Sequence, residues 1–192
     1  MENDYLTNTL IFLVGTAFSL YILAVMLRFL LQTVRADFLN PISQFLVRAT
    51  SPALNPLRRI IPGFRGVDLA AIVLMFLLQL AAVYLIFLLT YGQQPPFALL
   101  LIESAGRLLG LLLNLYTVLI LIGVVVSWVN PTASHPGLHL LRQLTDPILR
   151  PIRAYMPSMG GIDLSPLIAL ILLHVVRMLA VYPLRGQLML PA

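Results

Sequence analysis

Two arginine–aspartate pairs are the side chains best suited to form a functional contact in this sequence. Arg58 precedes Asp68, and Arg153 precedes Asp163, by ten residues in both cases. An arginine and a carboxylate form an ion pair where the chain turns back on itself, and arginine also binds phosphate through paired N–H donors. The spacing therefore indicates an internal contact, a contact with anionic headgroups, or both.

Each aspartate also comes directly before an apolar run. A carboxylate at that place caps the first free amides of a helix and complements its dipole. This capping role is the simpler explanation of Asp68 and Asp163, and it is compatible with pairing to the arginines. For Arg58 and Arg153, attraction to anionic lipid is a simpler role than a substrate site.

Both pairs belong to a phrase that occurs twice. TSPALNPLRRIIPGFRGVDL starts at Thr50 and TDPILRPIRAYMPSMGGIDL starts at Thr145, and the two align without a gap at an offset of 95 residues. We take both copies as candidate contacts for lipid or a protein partner. The candidate residues are Pro52, Pro56, Arg58, Pro62, Gly66, Asp68, Pro147, Arg150, Pro151, Arg153, Pro157, Gly161 and Asp163.

The prolines of the phrase predict short helices. Ser51-Pro52 and Asp146-Pro147 are typical of an N-cap followed by proline in the first helical turn. A second proline four residues later removes a hydrogen bond and clashes with the preceding turn. Each copy is therefore predicted to contain short, amphipathic, proline-broken helices, with two such helices at the membrane interface.

The elements that position these residues are predicted to be membrane spans. The 192 residues are 60% hydrophobic and 10% charged, with a mean hydropathy of +0.97. Four runs approach the roughly 20 residues that a span requires: 10–31, 69–90, 108–129 and 164–182. The predicted fold is an all-α membrane protein with four transmembrane helices in two parallel hairpin repeats. The repeats are residues 1–95 and 96–192, with motif regions 32–68 and 130–163.

Arginine placement predicts the orientation. All basic residues are arginine, and most lie in the two motif regions. Since arginine-rich loops stay inside, the motif regions are expected in the cytoplasm and both termini in the periplasm of a bacterial inner membrane. The opening MENDYLTN carries acids in place of basic residues, so the first run is expected to be a retained span rather than a cleaved signal.

Polar residues inside the spans are a second set of candidates: Gln79, Glu103, His174 and Arg177. Gln79 and His174 match at the offset of 95 residues, and we expect both to face the bundle interior and lie close together. Arg177 is expected either to reach the interface or to meet Glu103. Arg28, near the inner end of the first span, is expected to reach the interface.

Each histidine aligns with an amide in the other repeat. His135 aligns with Asn40, His139 with Gln44 and His174 with Gln79. A role that an amide can share is hydrogen bonding, so metal ligation is not expected, and neither is a cofactor. The chain has no cysteine and no phosphate loop, nucleophile elbow or zinc-protease motif. An enzyme and a direct nucleic-acid ligand are not expected.

The second phrase, together with SWVNP at Ser127–Pro131, resembles the signature of the YggT family of small bacterial and plastid membrane proteins. The first copy departs from it, with Asn55 in place of Arg150 and Arg65 in place of Gly160. The resemblance implies an inner-membrane protein without a settled biochemical activity. Members of the family are connected with osmotic and ion homeostasis, with cell division and nucleoid organisation, and with plastid cytochrome assembly.

Two classes of function remain open from the sequence. The first is a membrane scaffold or assembly factor whose arginine–proline regions contact lipid headgroups or an unknown membrane protein partner. The second is a small ion or osmolyte channel or transporter, possible as a homo-oligomer because four spans alone enclose little space. The sparse polar residues of the spans favour the first.

Overall fold

The structure is a computed structural model that describes residues 2–130, 135–155, 163–186, 188 and 190. Within these residues every regular element is helical, and the only extended pairing is an isolated bridge between Phe64 and Val67. The elements, in chain order, are α1 (Glu2–Thr33), α2 (Pro41–Ile60), α3 (Leu69–Tyr91), α4 (Phe97–Val129), α5 (Pro136–Tyr155), α6 (Ser165–Val176) and a π-helical segment (Arg177–Val181) that continues α6.

Three helices, α1, α3 and α4, are long and apolar enough to cross a membrane. They contain the predicted spans 10–31, 69–90 and 108–129. Helix α4 begins before the predicted span because Glu103 and Arg107, four residues apart, pair with each other and do not interrupt the helix.

The predicted fourth span, 164–182, is a shorter apolar helix. It consists of the 12 residues of α6 and the five residues of the π-helical segment. This length lies at the lower limit of the roughly 17–25 residues that span a bilayer core. Over the residues that it describes, the structure therefore confirms an all-α fold with three of the four predicted membrane-length helices.

The turns before α2 and α5 lie at the same end of the bundle. There the side-chain amide of Asn40 donates a hydrogen bond to the carbonyl of Pro136 at 2.9 Å. We call this the motif end, and the opposite end the far end. Helices α1 and α4 run toward the motif end and α3 runs away from it, with α1 packed along α3 and α3 packed on α4.

The prediction of short proline-broken helices is wrong. Helix α2 is one continuous element of 20 residues that contains Pro52 and Pro56, and α5 is a second one that contains Pro147 and Pro151. All four prolines are exposed, and each pair shares one helix face because its members are four residues apart. The carbonyls that lose a partner therefore face outward, so the helix can bend there without ending.

The predicted N-caps are also displaced. Helix α2 begins at Pro41, where Asn40 accepts a hydrogen bond from the N–H of Ile42 at 3.0 Å. Ser51 and Asp146 lie inside α2 and α5. The pair Asn40-Pro41 therefore supplies the N-cap and the first helical residue of α2, and it precedes Ser51-Pro52 in the chain.

The two repeats differ in the size of their cores. In the first repeat, buried residues of α1, α2 and α3 form one large cluster that also takes in parts of α4 and α5. In the second, the buried cluster has three members: Ile120, Leu149 and Ala169. At the offset of 95 residues these correspond to Val25, Leu54 and Leu74, which belong to the first cluster. The same positions therefore form both cores, but the second core is much less extensive.

Candidate functional site: the arginine–aspartate pairs at the motif end

In the first repeat, Arg58 near the end of α2 pairs with Asp68 just before α3. The Nε of Arg58 donates to Oδ2 of Asp68 at 3.1 Å, and Nη2 donates to the same oxygen and to Oε1 of Gln32 at 3.3 Å. The other oxygen of Asp68 accepts the N–H of Ala71 at 3.2 Å and so caps α3. Both predicted roles of Asp68 are present, and together they fasten α2 to α3.

The second repeat repeats this arrangement in a more exposed form. Nε of Arg153 donates to Asp163 at 2.9 Å, and the other oxygen of Asp163 accepts the N–H of Ser165, also at 2.9 Å. The side chain of Asp163 is 48% exposed, against 5% for Asp68. Its burial acts to raise the pKa of Asp163, but the hydrogen bonds from Ser165 and Arg153 outweigh that effect and hold the pKa below its ordinary value.

Arg28 of α1 joins α1 to α2 inside the first repeat, and its position at the membrane interface stays a prediction. It is 6% exposed, and its Nη1 donates to Oγ1 of Thr50 (2.8 Å), Oγ of Ser51 (3.1 Å) and the carbonyl of Val47 (3.2 Å). The guanidinium stays inside because α2 offers it three acceptors. Sequence analysis missed these partners, although an arginine within an apolar run was a visible signal.

The matching place in the second repeat has no arginine, because Gly123 stands where α1 has Arg28. On the facing helix, Thr145 matches Thr50 and Asp146 matches Ser51. A groove of about 890 Å³ lies at this place, lined by α4, α5 and the start of α6. The first repeat is therefore filled by an arginine side chain where the second repeat is open.

The other four arginines of the motif helices are exposed. Arg48 and Arg59 lie on α2, and Arg142, which lines the groove, and Arg150 lie on α5. The outer surface of α2 also exposes Phe45 and Ile60. A helix that presents apolar side chains beside arginines is typical of a segment at the lipid interface.

The remaining motif residues lie in the connection after α2. Pro62 is exposed, and Gly66 has φ +84°, which a residue with a side chain adopts rarely. Arg65 beside it also has a positive φ, 50°, at the place where the second copy has Gly160. The predicted residues Pro157 and Gly161 lie outside the described residues.

Gln79 and His174 do not share an interior, so that prediction is wrong. Gln79 is buried in α3, whereas His174 lies on an exposed face of α6. At another pair of matched positions, His135 and Asn40, the histidine and the amide do share a role. Nδ1 of His135 accepts the N–H of Gly137 at 3.1 Å, much as Asn40 accepts the N–H of Ile42. The shared role at this pair is hydrogen bonding, as the alignment indicates.

At the far end, Glu103 is 1% exposed and accepts a hydrogen bond from Nε of Arg107 at 2.8 Å. Arg177 donates to Oδ1 of Asn114, so its partner is an amide and not the predicted Glu103. Burial, followed by the nearby Arg107, lowers the pKa of Arg185. Among the described residues, no group of three His, Asp or Glu residues comes together in a way that would hold a metal ion.

Small residues of α4 set the packing of the far end. A Cβ added at Gly106 would lie 2.8 Å from Cβ of Leu184, and one at Gly110 would lie 3.4 Å from Cγ1 of Val181. The matching contact in the first repeat joins Gly15 and Ile86, at 3.7 Å. The GxxxG pattern at Gly106 and Gly110 is therefore a contact face, for which the sequence alone gave a weak signal.

Comparisons with known proteins agree with the doubled architecture. The sequence profile of the CCB3/YggT family matches the chain twice, over residues 7–89 and 102–184. The two matches start 95 residues apart, which is the offset between the two copies of the phrase. No solved structure matches the chain.

Two bacterial relatives match nearly the whole chain, and a plastid relative matches about a third of it. An uncharacterized protein of Pseudomonas aeruginosa is 46% identical over 97% of this chain and 95% of its own. The uncharacterized protein YggT of Escherichia coli is 39% identical over 96% of each chain. The chloroplastic YlmG homolog protein 2 of Arabidopsis thaliana is 36% identical over 32% of this chain and 24% of its own. The chain belongs to the CCB3/YggT family, whose profile it contains in two copies.

Proposed function

We propose that the protein is a non-enzymatic scaffold or assembly factor of the bacterial inner membrane. Its motif helices would bind anionic headgroups and hold a membrane protein partner at the cytoplasmic face. The observation that carries the proposal is that α2 and α5, two matched helices at one end of the bundle, expose arginines while an arginine–aspartate pair fastens each to the next helix. The processes it would serve are those implied by the family: osmotic homeostasis, cell division or assembly of membrane complexes.

The arginines of the motif helices differ in whether they are paired with a carboxylate, and this difference supports the proposal. Arg58 and Arg153 are occupied by carboxylates, so they hold the helices in place. Arg48, Arg59 and Arg150 are exposed, and each arginine near an anionic surface contributes about 1 kcal/mol. Three such residues are enough to give a clear preference for anionic lipid.

The proposed topology has four spans, with α6 and its π-helical continuation as the last. The apolar character of this segment and the contact of its last residue, Val181, with Gly110 of α4 support its insertion. The arginine excess at the motif end supports a cytoplasmic position for that end and periplasmic termini.

A channel is the less supported alternative. A conducting path needs polar side chains that face one interior along the membrane normal. The matching positions Gln79 and His174 do not provide one, because His174 is exposed while Gln79 is buried. Steady ionic current through liposomes that contain the purified protein would favour the channel over the scaffold.

The test is charge reversal at Arg48, Arg59 and Arg150, three exposed arginines that have no carboxylate partner among the described contacts. The variant Arg48→Glu/Arg59→Glu/Arg150→Glu should lose anionic lipid and any co-purifying partner, because about 1 kcal/mol of attraction per residue becomes repulsion. The matched control Arg48→Lys/Arg59→Lys/Arg150→Lys keeps the charges and should behave as wild type. Lipid retained by each purified protein, measured by native mass spectrometry, gives the comparison. Equal retention of phosphatidylglycerol by both variants would contradict the proposal.

A further inference from the structure

The groove of the second repeat occupies the place that Arg28 fills in the first. In the first repeat a guanidinium sits against one carbonyl and two hydroxyl oxygens of α2, at 2.8–3.2 Å. In the second repeat Gly123 stands at the position of Arg28, so this cation is absent. A Cβ added at Gly123 would lie 3.8 Å from Leu141, which is an ordinary contact distance. The space is therefore open rather than filled by another side chain from α4.

The acceptors remain on α5 although the cation is gone. Thr145 keeps the hydroxyl of Thr50, and Asp146 replaces the hydroxyl of Ser51 with a carboxylate. Nη1 of Arg153 approaches Asp146 only at 3.4 Å, whereas its Nε is bound to Asp163 at 2.9 Å. The second repeat thus offers a cation a stronger acceptor than the first does.

The groove carries both charges at one end and apolar walls along the rest. Its charged side chains are two acids and two arginines, so their formal charges cancel: Asp146, Asp163, Arg142 and Arg153. Its walls include Ile120, Leu121, Leu149 and Leu167. Leu121 and Leu167 are exposed, so the groove is open on the side that faces lipid in a bilayer.

The depth of the groove matches the level of lipid headgroups. Gly123 lies six residues before the end of α4 at Val129, which is about 9 Å at 1.5 Å per residue. Trp128, at the rim of the groove, is 82% exposed, and tryptophan concentrates at the membrane–water interface. From this rim inward the groove changes from charged to apolar, in the same order as a phospholipid.

We propose that the groove between α4, α5 and α6 binds one zwitterionic phospholipid with a primary amine, of the phosphatidylethanolamine class. The ammonium group takes the place of the Arg28 guanidinium and donates to Thr145 and Asp146. The phosphate lies near Arg142, and an acyl chain follows the leucines. A partner helix with a single cation would bring no anion for Arg142, whereas the lipid supplies both an ammonium group and a phosphate.

The proposal deepens the scaffold function by naming a specific lipid, and it is tested on separate residues. Full-length protein in detergent is titrated with phosphatidylethanolamine, phosphatidylcholine and phosphatidylglycerol of identical chains, and adducts are measured by native mass spectrometry. Phosphatidylethanolamine should bind at least about tenfold more tightly than phosphatidylcholine, because a quaternary ammonium donates no hydrogen bond.

Two variants locate the site. Gly123→Arg should abolish the phosphatidylethanolamine adduct, because the new guanidinium occupies the place as Arg28 does in the first repeat. Gly123→Ala, its matched control, adds a single methyl group to the groove wall and should retain most of the binding that Gly123→Arg removes. Asp146→Asn should weaken binding about tenfold through loss of a charge-assisted hydrogen bond, whereas Asp37→Asn, which changes an exposed acid outside the groove, should have no effect.

The outcomes separate the two proposals. Equal binding of the ethanolamine and choline lipids, or binding that survives both Gly123→Arg and Asp146→Asn, would overturn the groove site. If Gly123→Arg does not accumulate, Asp146→Asn alone decides, since its side chain is exposed. The reversal of Arg48, Arg59 and Arg150 tests the scaffold surface and leaves the groove intact, so either proposal can fail alone.

Discussion

The two repeats carry the same arginine–aspartate pair in different surroundings. In the first, Asp68 is nearly inaccessible, and Arg28 joins α1 to α2 from within. In the second, Asp163 is about half exposed, and Gly123 leaves a groove beside α5. The duplication thus preserved the fastening of the motif helix while closing one repeat and opening the other.

This difference indicates how the two repeats divide their tasks. The first repeat has the larger core and holds the bundle together, with α1 packed along α3. The second has a separate buried cluster of three residues, the more exposed ion pair and a groove that leaves room for a ligand. Substitutions that exchange features between the repeats are the most direct way to examine this division.

The largest expected effect is at Arg28. Arg28→Gly gives the first repeat the residue of the second, and should cost about 3–5 kcal/mol, because a buried side chain is lost and glycine weakens the helix. Leu20→Gly, at an exposed position of the same helix, should cost only about 1 kcal/mol. Thermal unfolding in detergent measures both. Equal losses would mean that Arg28 does not hold α1 against α2.

The two aspartates should differ in their contributions. Asp68→Ala leaves Arg58 without its carboxylate beside a buried position and should cost about 3 kcal/mol. Asp163→Ala removes an exposed ion pair and the hydrogen bond from the N–H of Ser165, and should cost about 1 kcal/mol. Denaturation of the two variants under identical conditions gives the difference. A loss at Asp163 that matches or exceeds the loss at Asp68 would reverse our ranking of the repeats.

At the far end the second repeat is the more closely packed one. Gly106 replaces Ile11 of the first repeat and lies directly against Leu184. Gly106→Ala should therefore cost about 1–3 kcal/mol through overpacking. Gly123→Ala on the same helix has room for its methyl group and should be neutral or stabilising by up to about 1 kcal/mol. Similar unfolding temperatures for the two variants would refute the close contact.

The smallest expected effect is the pH dependence of Asp163. Its pKa is lowered in the folded protein, so its stabilisation is present above the ordinary aspartate pKa of about 3.9 and is lost as pH falls through the lower folded value. The stability difference between wild type and Asp163→Ala should be constant near neutral pH and shrink below pH about 4. A difference that already shrinks between pH 7 and 5 would contradict the pairing with Arg153.

Much of this architecture is predictable because it depends on local sequence patterns. Apolar length locates the helices α1, α3 and α4, and the offset of 95 residues finds both arginine–aspartate pairs, since each pair bridges only ten residues. The errors arise where tertiary placement decides. Pro52 and Pro56 interrupt nothing because they face outward, a property that sequence spacing alone does not reveal.

Neither the groove nor the burial of Arg28 could be predicted from one copy of the repeat alone. Arg28 and Gly123 match at the offset of 95 residues, so the contrast was visible in the alignment. The structural consequence of this contrast depends on the acceptors Thr50 and Ser51, and these lie on the next helix. The predicted proximity of Gln79 and His174 is wrong for a related reason. Equal depth in matching helices does not determine which helix face each residue occupies.

The central claim is that α2 and α5 lie together at the cytoplasmic surface. The chain contains no cysteine, so single cysteines can be placed without background at Ala49 on α2, Ala154 on α5 and Tyr5 near the start of α1, all exposed. A membrane-impermeant maleimide should label Tyr5→Cys in right-side-out vesicles, and should label Ala49→Cys and Ala154→Cys only in inverted ones. Labelling of Ala49→Cys and Ala154→Cys from opposite sides, or of both from the outside, would contradict the account.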